Sequence, residues 1–149
     1  MINLVKDEKI LQQKSSPVTD ISPQINEFIT KAQEIIHDSR QDNNPYHPNI
    51  CIGLSGIQLN IPLQILAACP LGTMPLFMCN PIITEQSGPY DTEETCMSLI
   101  GARPCKRYKS ITVTYQDPTK ELATRTRTFN NLWAQIIQHE MDHFEGKLI

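Results

Sequence analysis

The segment from Leu132 to His143 constrains the fold and chemistry of this chain more than any other. Its sequence, LWAQIIQHEMDH, combines the apolar spacing of an amphipathic helix with an H-E-x-x-H motif. Residues four apart share a helix face, so His139 and His143 can direct both imidazoles at one metal ion. Glu140, beside the first histidine, can act on a water at that metal. The segment therefore predicts a metal site on a helix.

An ordinary pair of surface histidines is the alternative, because H-E-x-x-H also arises by chance on solvated helices. The helix is apolar on the side that would approach a core, which places the histidines near a buried stripe; the residues of that side are Leu132, Trp133, Ile136 and Ile137. Two of the four histidines of the chain belong to the motif. His37, in a predicted helix, and His47, in a loop rich in Pro and Asn, are interpreted as ordinary polar residues.

Size and charge narrow the functional classes. A chain of 149 residues fits one domain, residues 1–149, with a core that needs no disulfides. The formal net charge is −3 and the basic residues are scattered, which excludes the usual footprint of a nucleic-acid-binding protein. No apolar run is long enough for a membrane span, and the start of the chain lacks the order of a signal peptide. These features predict a cytoplasmic protein.

The cysteines bear on the third metal ligand. There are five, an odd number at irregular spacing, which argues against a disulfide framework and a zinc ribbon and predicts that most are buried. A catalytic tetrahedral metal takes three protein ligands and one water, so two histidines need a third partner. Cys96 follows an acidic stretch and lies between Glu94 and Ser98, whereas most of the other cysteines lie in apolar, strand-like runs.

The remaining chain predicts an α+β fold, with antiparallel sheets packed around the central metal-binding helix and with an N-terminal helix. The chain is expected to start with an extended arm that includes a turn or two and reaches about Val18. Ser22 and Pro23 then begin a helix that runs to about Arg40. A turn is predicted at residues 87–90, and Asn130 or Asn131 can cap the metal-binding helix. The predicted strands are Leu63–Cys69, Met74–Cys79, Ile82–Thr84, Ser110–Asp117 and Leu122–Phe129.

Three segments together resemble the peptide deformylase family. They are GLSGIQ at residues 53–58, ETCMS at residues 94–98 and QHEMDHFEG at residues 138–146. The family carries G-x-G-L-A-A-x-Q, E-G-C-L-S and Q-H-E-x-D-H-L-x-G in this order and at this spacing. Three ordered motifs are far more specific than H-E-x-x-H alone, and the resemblance spans essentially the whole chain.

The resemblance implies roles for individual residues. Cys96, His139 and His143 are the implied metal ligands, with water as the fourth, and the metal is Fe²⁺ in cells, often replaced by Zn²⁺ or Ni²⁺. Glu140 is the implied general base and later the proton donor. Gln58 and the backbone N–H of Met97 are implied to stabilise the oxyanion.

The implied reaction is removal of the formyl group from N-formylmethionyl peptides of nascent proteins, with release of formate. The peptide is expected to bind as an added strand, and Arg103 and Arg107 are expected either to anchor Glu94 or the substrate or to be surface charges. Expected partners are this peptide and ribosome-associated nascent chains, with no nucleic acid or membrane, and the chain is expected to be a monomer. The implied substrate-binding residues are Ile52, Gly53, Leu54, Thr95, Leu132 and Ile136.

The chain departs from the family pattern at several positions. Cys51 replaces the first glycine, while Ser55 and Gly56 replace the two alanines. Thr95 replaces the glycine of the second motif, and a β-branched residue there is expected to narrow the substrate groove or alter its backbone. The sequence ends at Ile149, which suggests a minimal or divergent member, or a shortened one, without the C-terminal helix of many bacterial members.

Two other interpretations are compatible with the residues. One is a different metal-dependent amidase or peptidase that uses the same ligands on another substrate. The other is a non-catalytic binding module stabilised by a metal, in which Glu140 has only a structural role.

Overall fold

One five-stranded antiparallel sheet organises the chain in the computed structural model, which describes residues 1–149. The strand order is β1-β2-β3-β4-β5. The predicted α+β class and N-terminal helix are confirmed, with a single sheet in place of several. Short 3-10 turns occupy Gly56–Leu59 and Pro118–Lys120. The helices and strands are α1 Glu8–Leu11, α2 Pro23–Asp38, β1 Gly53–Ser55, β2 Ile65–Ala68, β3 Leu76–Glu94, β4 Arg103–Asp117, β5 Ala123–Asn130 and α3 Asn131–Phe144.

Helix α2 covers one face of the sheet. It begins at Pro23, as predicted, but the Ser22 side chain makes no capping hydrogen bond, and the helix ends at Asp38, two residues before the predicted end. Phe28 meets Phe77 of β3 edge to face, with ring centroids 6.4 Å apart. The buried side chains of α2 recur at helical spacing and enter the first core cluster; they are Ile25, Phe28, Ala32, Ile35 and Ile36.

Helix α3 covers the opposite face. Successive residues of a strand point to opposite faces, and β2 divides accordingly: Ile65 and Ala67 join the cluster beneath α2, whereas Leu66 and Ala68 join the cluster beneath α3. The helix begins directly after β5, and Asn130 is at the N-cap without a side-chain capping hydrogen bond. This short connection places the whole of α3 across β4, β2 and β1.

Strand β3 corrects two predictions. The two short strands predicted around residues 80–81 form one strand, because Asn80 adopts a positive φ of 51° within a register shift between Cys79 and Ile82. Such a bulge absorbs an extra residue without ending the strand. The turn predicted at residues 87–90 is also wrong, since these residues pair with β4, Ser87 opposite Ser110 and Pro89 opposite Tyr108. Continuous pairing with β4 overrides the local turn signal.

The N-terminal arm contains the short helix α1, where the prediction was an extended arm with a turn or two. All five cysteines are free and four are buried, as expected for small apolar side chains. None of the helices combines the length and the apolar character that crossing a membrane requires.

Candidate metal centre and its cavity

Cys96, His139 and His143 form a buried group of potential metal ligands. One ligand atom from each lies within 4.8 Å of the others. The Cys96 thiol follows the end of β3, while the two imidazoles project from one face of α3, one helical turn apart. The fold therefore brings together residues that are more than forty positions apart in the sequence.

The donor set fits a tetrahedral metal. Usual metal–sulfur and metal–nitrogen lengths place these two atoms roughly 3.6 Å apart in such a site, and the distance from Cys96 Sγ to His143 Nε2 is 3.6 Å. The other ring nitrogen of His143, Nδ1, is buried without a hydrogen-bond partner. One thiolate with two imidazoles suits zinc and iron alike.

A buried network of hydrogen bonds, formed by Glu94, Arg107 and Gln135, orients His139. Its Nδ1 lies 2.8 Å from Glu94 Oε1, which leaves Nε2 for a metal. Glu94 in turn accepts hydrogen bonds from Arg107 Nη2 at 2.7 Å and from Gln135 Nε2 at 2.9 Å. Arg107 is only 4% exposed and also pairs with Asp142 at 2.7 Å. Of the alternatives left open for Arg107, the structure supports anchoring of Glu94. Arg103 is half-buried and makes no such contact.

The two histidines of the motif have opposite pKa shifts in the metal-free protein. Burial alone lowers the pKa of His139, but hydrogen bonds with Cys96 and Glu94 outweigh it and raise the pKa to about 10. His143 lacks such partners, so burial and the nearby charge of His139 lower its pKa to about 3. Glu94 shows the complementary shift: burial opposes ionisation, yet hydrogen bonds from His139, Arg107 and Gln135 hold its pKa well below the usual range.

Glu140 is a buried carboxylate at the wall of the cavity beside His139. Its side chain is almost fully buried, and burial raises its pKa to about 7. Oε1 lies 3.8 Å from His139 Nε2, and Oε2 is buried without a hydrogen-bond partner. A carboxyl group whose pKa lies near neutrality can both accept and return a proton at physiological pH.

Gln58 and Met97 lie beside Cys96. Gln58 is in the 3-10 turn Gly56–Leu59, and its Nε2 donates to Ser98 Oγ at 3.1 Å and to Cys96 Sγ at 3.4 Å. Met97 directly follows Cys96, and its side chain packs against the first core cluster. Both residues border the cavity above the ligand group.

A cavity of about 410 Å³ opens onto this group. Five of the six residues expected to bind substrate line it: Ile52, Gly53, Thr95, Leu132 and Ile136. Leu54 does not, which corrects that expectation. Neighbouring strand residues face opposite ways, so Gly53 points to α3 while Leu54 is buried in the cluster beneath α2.

Gly53 and Thr95 show how backbone and side chain form the cavity wall. A Cβ added at Gly53 would lie 2.7 Å from Ile136 Cγ2 and 3.3 Å from Glu140 Cδ, so only glycine lets β1 approach α3 this closely. Thr95 is exposed and is not among the residues with positive φ. A threonine therefore fits there without backbone strain, and its effect is confined to the space it occupies in the wall.

Sequence reasoning missed several lining residues. Gln135 precedes His139 by one helical turn, so the helical period alone was enough to place it on the site face. Ile50, which is 47% exposed, comes from a loop whose position depends on tertiary contacts. The lining residues that were not predicted are Pro48, Asn49, Ile50, Glu93, Glu94 and Gln135.

Comparisons with known proteins agree with this geometry. A sequence model of the family described as Polypeptide deformylase matches residues 1–149. A peptide deformylase of Clostridium beijerinckii is 39% identical over 146 residues, which cover 98% of this chain and 97% of the relative. A peptide deformylase of Nitrosococcus oceani is 32% identical over 144 residues, which cover 93% of this chain and 77% of the relative.

A solved structure gives the same result for the fold. The crystal structure of peptide deformylase from Thermus thermophilus superimposes with a TM-score of 0.79 at 25% identity, covering 99% of this chain and 81% of that one. These matches favour one of the interpretations of the motif. The chain belongs to the peptide deformylase family, the metallohydrolases that remove the N-formyl group from nascent peptides.

Proposed function

We propose that this chain, as a single catalytic domain, deformylates N-formylmethionyl peptides with a metal held by Cys96, His139 and His143. The observation that carries the proposal is the joint geometry of ligands and base: three ligand atoms within 4.8 Å of one another beneath a cavity whose wall includes Glu140. A divalent metal at this position lowers the pKa of a bound water and polarises the formyl carbonyl. The residues of the chain supply the remaining chemistry.

Glu140 moves the proton. Its Oε2, which has no hydrogen-bond partner, accepts a proton from the attacking water as the water oxygen forms a bond to the formyl carbon. The carboxyl group then gives the proton to the leaving amine as the carbon–nitrogen bond breaks. The other hydrogen of the water stays on the product formic acid, which then ionises to formate by losing it to solvent, and the peptide is left with a free N-terminus.

Gln58 and Met97 stabilise the negative charge that develops on the formyl oxygen. Gln58 Nε2 lies at the wall of the cavity beside Cys96, and the backbone N–H of Met97 follows the same cysteine. Preorganised donors of this kind contribute about 3 kcal/mol each to transition-state stabilisation. The methionine side chain of the substrate packs against Ile52, Leu132 and Ile136.

Ferrous iron is the metal that we propose in cells, with zinc or nickel as substitutes. A thiolate and two imidazoles accept any of these ions, and the added negative charge of the thiolate suits iron. We also propose that the enzyme acts as a monomer on nascent chains at the ribosome, in the cytoplasm. Its substrate is produced there, since formylmethionine is the first residue of the nascent chain.

Formate release tests the proposal. The iron-loaded protein, kept anaerobic, should release formate from formyl-Met-Ala-Ser and should release no acetate from the acetylated peptide. Cys96→Ser should lose bound metal and activity together. Cys69→Ser is the matched control, because Cys69 is equally buried but lies in the first core cluster. Absence of formate at every metal loading would overturn the function, and unchanged metal content in Cys96→Ser would remove Cys96 from the ligand set.

A further inference from the structure

Ser98 is a buried residue beside the metal centre to which the reaction assigns no role. It is 4% exposed, and its hydroxyl accepts a hydrogen bond from Gln58 Nε2 at 3.1 Å. We infer that Ser98 is a positioning residue that holds the Gln58 amide with its N–H group, rather than its carbonyl oxygen, directed at the substrate. The inference rests on the proposed function, since it concerns the donor that stabilises the oxyanion.

The orientation of the amide follows from an unambiguous donor. The backbone N–H of Ser55 donates to Gln58 Oε1 at 2.9 Å. A backbone N–H group has no acceptor capacity, so the atom it meets must be the oxygen of the amide. The nitrogen end therefore lies on the other side, between Ser98 and Cys96.

The two hydrogens of Nε2 have different partners. One points to Ser98 Oγ at 3.1 Å and the other to Cys96 Sγ at 3.4 Å. Sulfur is the weaker acceptor, so a formyl oxygen that arrives on that side can replace it as the partner of the second hydrogen without any rotation of the amide. The hydrogen bound to Ser98 stays in place and keeps the amide plane fixed during the reaction.

Burial makes this arrangement sensitive to the hydroxyl. Gln58 is 1% exposed, so water does not replace Ser98 as an acceptor. Without the hydroxyl, one amide hydrogen is left unpaired, and the side chain rotates to satisfy it at the expense of its catalytic orientation. Because Cys96, Met97 and Ser98 are consecutive, one short segment supplies a metal ligand, one oxyanion donor and the hydroxyl that holds the second donor.

Kinetics of Ser98 variants test the inference on the metal-loaded enzyme. Ser98→Ala should lower kcat about tenfold and leave KM within twofold, because the lost interaction strengthens in the transition state. Ser98→Thr, which keeps the hydroxyl, should recover most of kcat. Ser15→Ala is the matched control, since Ser15 is also buried but its hydroxyl has no hydrogen-bond partner. An unchanged kcat in Ser98→Ala would overturn the inference.

A double-mutant cycle separates positioning from a general structural role. In a Gln58→Ala background, adding Ser98→Ala should change kcat less than twofold, because Ser98 acts only through Gln58. Multiplicative losses would show that it acts by another route and would overturn the inference.

Nuclear magnetic resonance of the zinc-loaded protein gives a readout independent of activity. The two side-chain amide protons of Gln58 should be well separated in the wild type and in Ser98→Thr, and should shift in Ser98→Ala. Identical Gln58 signals in all three proteins would overturn the positioning role. If the wild type released no formate, the proposed function would fail, and the resonances would still decide whether Ser98 holds the amide.

Discussion

The two faces of the sheet contain very different interiors. Beneath α2 lies a cluster of 15 buried apolar residues. Beneath α3 lies a cluster of 11, bordered by the buried ionisable groups Glu94, Arg107, His139 and Glu140. Removing charged groups from water is costly unless they are paired. We therefore expect the α2 side to contribute more to stability, because the α3 side also buries the candidate metal ligands and the carboxylate of Glu140.

The cost of burying charged groups beneath α3 is reduced because these groups form a network of ion pairs and hydrogen bonds. Arg107 binds both Glu94 and Asp142, and Glu94 binds His139. Glu140 is the member without a strong partner, and its pKa is raised to about 7 as a result of burial. The paired carboxylates Glu94 and Asp142 thus differ in environment from the unpaired carboxylate of Glu140, although all three lie in the same site.

The largest expected effect comes from the unpaired carboxylate. Glu140→Gln should lower kcat by about 10²- to 10⁴-fold, the usual contribution of a general base, as measured by formate release. The midpoint of thermal unfolding should not fall, because the amide removes a charge that burial disfavours. Glu145→Gln, at an exposed position on the same helix end, should keep full activity. Full turnover in Glu140→Gln would contradict the assignment of the base.

The apolar side should show the opposite behaviour. Phe28→Ala should lower the free energy of unfolding by about 3–5 kcal/mol, because it leaves a cavity against Phe77, while kcat of the folded enzyme should stay within twofold. Urea unfolding and formate assays measure the two quantities. Ile100→Ala, at a fully exposed apolar residue, should change the free energy of unfolding by less than about 0.5 kcal/mol. A large loss of kcat in Phe28→Ala would break the division between the two faces.

Loss of the Glu94 charge from the hydrogen-bond network should have a smaller effect, on metal affinity. Glu94→Gln keeps the size of the side chain but removes the charge that orients His139, and should weaken metal binding by about ten- to a hundredfold. Competition with a chelator measures this affinity. Glu85→Gln, an exposed position on the same strand, should leave it unchanged. Equal affinities for both variants would show that Glu94 does not support the metal.

The pH dependence of stability in the metal-free protein tests the difference between the two histidines. The pKa of His139 is about 10 when folded and 6.5 when unfolded, so its stabilisation is lost as pH rises between these values. The pKa of His143 is about 3 when folded, so its stabilisation is lost as pH falls from 6.5 toward 3. For each histidine, the free energy of unfolding changes by at most about 1.4 kcal/mol per pH unit.

Urea unfolding across this pH range, in the presence of a chelator, measures the free energy of unfolding as a function of pH. The plot should have an acidic limb, due to His143, and an alkaline limb, due to His139. His139→Gln should flatten the alkaline limb and, because the nearby charge is lost, also weaken the acidic limb, whereas His143→Gln should flatten the acidic limb only. The same profile in both variants would mean that the two histidines do not differ in environment.

Several features of the fold and site follow from the sequence because they depend on local periodicity. The 3.6-residue period places His139 and His143 on one face of α3 and defines the buried side of α2. The order and spacing of three motifs were enough to indicate the family and to nominate Cys96 as a ligand. The departure at Thr95 was also visible, although its effect on the backbone was not.

The rest was decided by contacts between distant segments. Pairing with β4 keeps β3 continuous across the bulge at Asn80. The alternation of residues along β1 places Gly53 against α3 and Leu54 on the opposite face, away from the cavity. The contacts from Gln58 to Ser98 and from Glu94 to His139 join residues 40 and 45 positions apart. A side-chain hydrogen bond acts over about 3 Å, so it exists only where the whole fold brings both partners together, and no local pattern records it.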